Sequence, residues 1–490
     1  MNHTQLNDDV LLHIASFADR DTLCILMRTC PLLLHYGGRR LLEDGVSLDE
    51  DNRRIWSFVA FMLKRGHSYR IKLLHSFRLT TPYYCSSAPI PLQATGVALA
   101  TLFRSLAKSG DLRNLCIIGS EQLLRLHPSV PAAISTITTL ELLNVMEAGL
   151  YTVNMLGRLR SPLTRATITL VSPRREEGKT LSVYARNPMC FLRNFSNTLS
   201  RVSVKYSTSA LVVGPWYPHV TYLHLNSADI LHTYHYVRAF PNLQVLSTKD
   251  CGVMVLNKEY EPRRAHNMME QTAFGTWTSL NSYRGALLTL YLLGITRHIP
   301  KVVITHVEDT LEYEVLRTVL GDARPRRLEL CLDGAFWLLD PGFWPTFTYD
   351  GVDALRYFEF CIMLDPLDDR TDIPAALEAA ISHVIKPLRS LVAVRIAIDL
   401  SWYFAGRGQT LSAEGEPLLV PIEEVLLEWD LDAYAHRIQD EVGVSATALR
   451  SISVSLWNHR TRKNTTVTLG MKYKPDVHDG WSDDSESDDE

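Results

Sequence analysis

The start of the chain alternates polar and apolar positions with a helical period. Asn7 suits an N-cap, and Asp8 and Asp9 follow in the first turn, where the helix dipole favours negative charge. Leu6 before the cap and Leu11 inside the helix supply the two halves of a hydrophobic staple. The apolar residues recur at i, i+1, i+4, i+7 and i+8, which predicts one apolar face of a short helix: Val10, Leu11, Ile14, Phe17 and Ala18.

Two more short helices are predicted before residue 45. Asp21 is the expected cap of the second helix, whose apolar stripe comprises Leu23, Leu26, Met27 and Cys30. Pro31 suits the first turn of a third helix, although Gly37 and Gly38 lower its helix propensity. Three helices this short cannot bury all their apolar residues among themselves. The surplus predicts either a partner surface or a contact with the next domain, and periodicity alone leaves both open.

The segment LNDDVLLHIASFADRDTLCILMRTCPLLLH resembles an F-box. The family pattern is Leu-Pro-x-acid, an apolar helix that ends near Phe or Leu, then Asp-Leu, a leucine stripe and a cysteine. The matching positions are Leu6, Asp9, Val10, Leu11, Ile14, Phe17, Leu23, Leu26 and Cys30. Asn7 stands where the family usually has proline, and no tryptophan follows Cys30. The next residues, RRLLEDGVSLDEDNRRIWSFVAFMLKRG, are similar to the continuation in many fungal F-box proteins.

This resemblance implies a binding partner for the three helices. In the family, the module is buried against a Skp-type adaptor, which connects it to the cullin scaffold of a ubiquitin ligase. The implied adaptor-binding residues are Leu6, Val10, Leu11, Ile14, Leu23, Leu26 and Met27. Full burial of one such side chain is worth roughly 1.5–3 kcal/mol, before the costs of association are subtracted.

The rest of the chain predicts alternating helices and strands. Helices are expected over 55–63, with a cap at Asp49 or Asp51, and over 97–108, and a strand is expected over 70–79. From residue 112 onward, an apolar residue is repeatedly followed by apolar residues three and five positions later. The copies are Leu112/Leu115/Ile117, Ile137/Leu140/Leu142, Leu199/Val202/Val204, Val220/Leu223/Leu225, Leu355/Phe358/Phe360, Leu391/Val394/Ile396 and Leu449/Ile452/Val454.

These copies resemble degenerate leucine-rich repeats. The best one is LQVLSTKDCGV, where Cys251 occupies the repeat's buried turn position, and the starts at 199, 220 and 243 fit its period of about 20–29 residues. Stacked strand–helix units of this kind share one continuous core. The resulting prediction is an α/β fold, with a three-helix F-box-like module followed by an irregular leucine-rich-repeat horseshoe. An ordinary α/β or α+β domain remains the alternative, because any half-buried strand has a two-residue apolar rhythm.

The predicted domains are the F-box-like module at 1–45, the repeat body at 46–460 and a polar segment at 461–490. Within the body, Glu423 to Ile438 is expected to be one helix, followed by a last strand over 449–456. The chain ends in SDDSESDDE, with six acids and no base, which predicts a disordered tail.

Composition narrows the class of function. The formal charge is −4, and because the six acids of the tail carry −6, the rest of the chain is close to neutral at +2; a basic field that binds nucleic acid or a membrane surface is therefore not expected. No apolar run approaches the roughly 18 residues that span a bilayer. The eight cysteines are scattered without a C-x-x-C pair, as is usual for reduced thiols in the cytoplasm or nucleus.

Two motifs come close to a catalytic or metal site. Residues 174–180, RREEGKT, contain the Gly-Lys-Thr of a phosphate loop but lack the opening glycine, so a polar loop is expected. His224, His232 and His235, near His219 and Asp229, are the one histidine cluster, and a surface helix explains them better than a metal site. We therefore expect no catalytic residue, no cofactor and no metal.

The sequence as a whole predicts a substrate-recruiting adaptor of a Skp–cullin–F-box ubiquitin ligase. The helices would bind the Skp-type adaptor, and the body would hold a protein target whose identity the residues do not specify. The chain would act as a monomer within this hetero-complex. The alternative is a repeat-type protein-binding scaffold with a helical cap and no ligase association.

Overall fold

The computed structural model describes residues 7–48, 52–81, 92–173, 181–208, 214–228, 230–251, 257–305, 313–404 and 419–471. The chain divides into two compact units. Unit 1 comprises residues 1–255 and 270–279, and unit 2 comprises residues 256–269 and 280–490. The sequence patterns do not predict this division.

Unit 1 is a parallel sheet with helices between its strands. Its strands are β1 (Val46–Leu48), β2 (Ser76–Thr80), β3 (Asn114–Ile118), β4 (Leu142–Ala148), β5 (Arg165–Leu170), β6 (Arg201–Lys205), β7 (Tyr222–Asn226) and β8 (Val245–Lys249). Its helices are α1 (Asp8–Phe17), α2 (Arg20–Leu26), α3 (Pro31–Glu43), α4 (Asn52–Leu63), α5 (Tyr69–Leu73), α6 (Leu92–Ser109), α7 (Ser120–Leu126), α8 (Ser129–Ile134), α9 (Leu150–Leu156), α10 (Pro188–Phe191) and α11 (Thr233–Ala239). Each strand pairs in parallel with the next one along the chain.

Unit 2 repeats this arrangement. Its strands are β9 (Ser282–Gly285), β10 (Lys301–Ile304), β11 (Arg327–Asp333), β12 (Tyr357–Met363), β13 (Ala393–Asp399), β14 (Ser451–Trp457) and β15 (Thr465–Gly470). The helix α12 (Tyr260–Phe274) spans the division, and the helices of unit 2 are α13 (Leu287–Leu293), α14 (Tyr313–Ala323), α15 (Ile373–Ala379), α16 (Ser401–Phe404), α17 (Pro421–Glu428) and α18 (Leu431–Gly443). Strands β9 to β14 are parallel, and β15 pairs antiparallel with β14.

The sheets have one covered face and one open face. In β6, Val202 and Val204 are buried, whereas Arg201, Ser203 and Lys205 are exposed or half-exposed. The same alternation recurs in most strands of unit 1 and in β11 and β12 of unit 2. Parallel sheets with helices on both faces have strands that are apolar throughout, so this pattern indicates helices on one face only. The α/β class and the parallel, sequentially ordered strands are thus established.

The spacing of the strands is irregular. Val202 and Leu223 are in-register partners and lie 21 residues apart, whereas Val394 and Ile452 are partners that lie 58 residues apart. Several strands are not among the predicted apolar triplets, including β5, whose buried residues are Ala166, Ile168 and Leu170. Insertions and small core residues explain why a fixed apolar pattern misses them.

One predicted triplet has the wrong register. Ile137, Leu140 and Leu142 were expected to point inward together; Ile137 and Leu140 are buried, but β4 begins at Leu142 and buries Leu143 and Val145 in its place. The pairing of Leu115 with Leu143 requires this register. A slip of one residue moves every side chain to the other face, and the dense apolar run here hides the slip in the sequence.

Three predicted elements differ from the structure. Residues 70–79 form α5 followed by β2, and the buried residues Arg70 and Ile71 lie in the helix rather than in a strand. The helix expected from Glu423 to Ile438 is two helices, since Asp430 caps a new start by accepting hydrogen bonds from the amides of residues 432 and 433. The strand over 449–456 was expected to be the last one, but the polar segment at 461–490 contains a further strand, β15, and its acidic end lies outside the described residues.

Other expectations are confirmed. Helices α4 and α6 cover the predicted ranges 55–63 and 97–108, although the proposed caps Asp49 and Asp51 lie outside the described residues. Cys251 is buried, and its thiol donates to the carbonyls of Leu225 and Lys249. Among the helices in the described ranges, none is long and apolar enough to cross a membrane.

Candidate functional site

Helices α1, α2 and α3 form a small module with its own core. Ala15, Leu23 and Leu33 are buried at its centre. The partly buried side chains around them are Leu11, Ala18, Leu26, Cys30, Tyr36 and Leu41. Arg40 ties α3 to the end of α1, because its guanidinium donates a 2.6 Å hydrogen bond to the Ala15 carbonyl. The module therefore has an interior of its own.

The caps of the module follow local chemistry. The Asn7 side chain accepts a hydrogen bond from the Asp9 amide, as predicted. The cap of α2 is Asp19 rather than Asp21, since the Asp19 carboxylate accepts a 2.7 Å hydrogen bond from the Thr22 amide. This bond lowers the pKa of Asp19. Asp21 instead lies in the first turn, where a carboxylate also favours the helix.

The glycines of α3 have a packing role. Gly37 and Gly38 are buried, and the helix continues through both. A Cβ at Gly37 would lie 2.6 Å from Cγ of Met27, closer than carbon atoms pack. The glycine therefore accommodates Met27, which is a reason for its presence that helix propensity does not reveal.

The seven predicted adaptor-binding residues occupy different environments. Leu6 lies outside the described residues. Val10 and Ile14 are exposed, with 44% and 48% of their surfaces accessible. Leu11 and Leu26 are partly buried in the module core. Leu23 and Met27 are buried within the chain, so they stabilise the module and cannot contact a partner in this conformation.

Two exposed apolar residues were left out of that set. Phe17 is 77% exposed and Ile25 is 64% exposed. With Val10 and Ile14, Phe17 continues an i, i+4, i+7 series on α1, a signal already present in the sequence. Ile25 lies in α2 between Leu23 and Leu26, which belong to the module core. Its outward orientation therefore becomes evident only when the packing of α2 is known. We name Val10, Ile14, Phe17 and Ile25 the exposed apolar stripe.

The open face of the unit 1 sheet carries polar and basic side chains. Its central row, in register from β3 to β7, contains Cys116, Asn144, Thr167, Ser203 and His224. The basic residues in the strands of this face are Arg78, Arg165, Arg201, Lys205 and Lys249. The face thus offers thiol, amide, hydroxyl, imidazole and cationic groups.

The open face of unit 2 carries a ladder of opposite charges. Glu329 lies 3.5 Å from the amine of Lys301 and 2.8 Å from the guanidinium of Arg327. Glu359 lies 2.9 Å from Arg395 and 3.9 Å from Arg327. Burial raises the pKa of Glu359 above its usual value, although Arg395 opposes this shift. The charges of this face are therefore largely compensated within the face.

Beside this ladder, two thiols lie on neighbouring strands. Cys331 and Cys361 are in-register partners of β11 and β12, and both are free thiols. A hydrogen bond between them lowers the pKa of Cys331 and raises that of Cys361. Among the described cysteines, no disulfide is present.

The histidines of the sequence cluster lie in different local environments, except that His232 and His235 contact each other. Nδ1 of His224 lies 2.9 Å from the Ser247 hydroxyl on the open face. His232 precedes α11, where its ring stacks on His235 and its Nδ1 lies 3.4 Å from Glu270. His219 is exposed, and Asp229 and the phosphate-loop-like residues 174–180 lie outside the described ranges.

We compared the chain with protein-family models and with curated proteins. No protein-family model matches the chain, and a search of curated proteins gives no match.

Proposed function

We propose that the chain is a substrate-recruiting subunit of a Skp–cullin–F-box type ubiquitin ligase in the cytoplasm or nucleus. The exposed apolar stripe of the N-terminal module would bind the Skp-type adaptor. The remainder of the chain would be a leucine-rich-repeat-like body, and its open sheet faces would bind a protein target. Catalysis would occur in another subunit of the assembly. The recruited target would be held near that subunit, so its local concentration there would be raised.

The observation that carries this proposal is the exposed apolar stripe. Its four side chains are 44–77% exposed, although the module has a core in which to bury such residues. A partner that covers them gains the usual free energy of apolar burial. Scaled by their exposed fractions, Ile14 and Phe17 alone would contribute about 2–4 kcal/mol.

The experiment that tests the proposal is adaptor binding by a double variant. The full chain is expressed with a Skp-type adaptor, and the affinity of wild type is compared with that of Ile14→Asp/Phe17→Asp. We expect a loss of at least about 30-fold, from the lost burial alone. Leu11 is unsuitable for this purpose because aspartate there would disrupt the core of the module.

The matched control is Val444→Asp. Val444 follows α18 in unit 2, is 83% exposed and receives the same change from an apolar to an acidic side chain. Adaptor affinity of this control should remain within twofold of wild type. Undiminished binding by the double variant would contradict the proposed face. Absence of binding by the folded wild-type chain would favour the scaffold alternative with no ligase association.

A further inference from the structure

The basic side chains of the unit 1 sheet face outnumber its acids. Strands β2 to β8 contribute Arg78, Arg165, Arg201, Lys205 and Lys249 to exposed or half-exposed positions. In the same strands the one carboxylate is that of Glu147, at the bulge that ends β4. A chain whose charge is nearly balanced outside its acidic tail therefore carries a local excess of positive charge on this face.

Two of these cations are direct neighbours. Arg165 and Arg201 are in-register partners on β5 and β6, and such positions lie about 4.8 Å apart. Like charges on neighbouring strands repel each other. Arg201 lies 5.8 Å from the centre of the Tyr222 ring, a contact that holds the guanidinium but leaves its charge unneutralised. Both arginines are exposed.

The nearby acids are already engaged. At the edge where β3 and β4 begin, Asp111 lies 3.0 Å and Glu141 3.8 Å from the guanidinium of Arg113. In the described part of the chain, neither Arg165 nor Arg201 has a carboxylate within ion-pair distance. On the open face of unit 2, by contrast, the basic side chains form ion pairs with glutamates of the same face.

We propose that the open face of unit 1 binds an acidic, extended segment of a partner protein. Carboxylates of the segment would pair with Arg165 and Arg201, and its backbone would meet the hydrogen-bonding row of Asn144, Thr167 and Ser203. Six strand intervals of about 4.8 Å separate β2 from β8, or roughly 29 Å, which an extended segment of about nine residues spans. This inference rests on the proposed function only in identifying the segment as part of the recruited target.

A peptide fits this face better than a nucleic acid does. Single-stranded nucleic acids are held by basic grooves with several aromatic side chains for stacking bases. The described outward positions of β2 to β8 offer two rings, those of Tyr222 and His224, on the same strand, and Nδ1 of His224 already lies 2.9 Å from the Ser247 hydroxyl. The short amides and hydroxyls of the central row match the donors and acceptors of a peptide backbone.

The test measures binding of a nine-residue peptide of alternating Asp and Glu, labelled for fluorescence anisotropy, to the full chain. We expect saturable binding that weakens as salt is added. Arg165→Gln/Arg201→Gln should weaken it at least about tenfold, because two charge-assisted contacts are lost. The matched control is Arg158→Gln/Arg160→Gln, which removes the same charge from exposed positions after α9, and it should change affinity less than twofold.

Three outcomes would overturn the inference. They are no peptide binding by wild type, equal binding by the two double variants, or tighter binding of a nine-nucleotide single strand than of the peptide. The adaptor assay separates this result from the proposed function. Arg165→Gln/Arg201→Gln should retain the adaptor, whereas Ile14→Asp/Phe17→Asp should retain the acidic peptide.

Discussion

Glu423 joins α17 to the segment that precedes β15. Its side chain is fully buried and accepts a 2.8 Å hydrogen bond from Nε of Arg460, with a second bond from the same guanidinium. The Val420 amide donates to the same carboxylate at 3.1 Å. Nε2 of His459 lies 3.0 Å from the Glu423 carbonyl, and its Nδ1 accepts a hydrogen bond from the Arg462 amide.

We predict that Glu423→Gln releases the last strand. The variant leaves the guanidinium of Arg460, which is only 14% exposed, without its carboxylate. Removing one partner of a buried ion pair costs about 3–5 kcal/mol, and the remaining access to water favours the lower value. Because Arg460 leads into β15, an edge strand, the loss should appear as local opening of that strand. A change of about 3 kcal/mol corresponds to roughly 100-fold faster amide exchange.

The pH dependence has a definite sign. Burial raises the pKa of Glu423, but the hydrogen bonds and charge of Arg460 and the Val420 amide outweigh it and leave the pKa below its usual value. The stabilisation is therefore fully present above the unfolded pKa of about 4.3 and is lost as the pH falls through the folded value. Thermal melts of wild type and Glu423→Gln should differ most at neutral pH and converge in acid.

The control for Glu423→Gln is an exposed ion pair of the same unit. Glu441 lies 2.8 Å from Nε of Arg437 on α18, and both side chains are substantially exposed. Glu441→Gln should change stability by about 0–1 kcal/mol and leave exchange in β15 unaltered. Hydrogen exchange measured by mass spectrometry on the full chain checks both variants. An acceleration of less than threefold in β15 of Glu423→Gln would refute the reasoning.

Two further predictions concern unit 1. Gly37→Ala should destabilise the N-terminal module by about 1–3 kcal/mol, because its Cβ would meet Met27, and faster exchange over 7–43 would report it. Gly38→Ala, whose Cβ has its nearest neighbour at 3.4 Å, should change stability by less than about 1 kcal/mol. Burial lowers the pKa of His127, so wild type should lose stability as the pH falls below about 6.5, and thermal melts of His127→Asn should lack this part of the loss.

The sequence predicted those elements whose signals are local. Caps and apolar periodicity located α1, and the alternation of buried and exposed residues located β6 and β7. Such signals depend on the few residues that form the element. They identify a strand or helix wherever a single register or periodicity accounts for the apolar residues of the segment.

Register and accessibility depend on partners that are distant in the sequence. The one-residue slip at Leu142 is decided by pairing with β3, and the break before Asp430 by a single side-chain cap. The role of Gly37 appears only when Met27 is placed beside it. None of these relations can be predicted from the residues of one short segment, because each depends on how that segment contacts its neighbours.

The N-terminal module shows how this limit bears on function. An apolar stripe predicts that a face is buried, but it does not say whether the chain itself or a partner buries it. The structure assigns Leu23 and Met27 to the interior and leaves Phe17 and Ile25 in solvent. The four residues are close in sequence and similar in hydrophobicity, so packing alone separates them. The binding hypothesis therefore rests on the residues that the module leaves uncovered, and substitutions there test recognition with the core left intact.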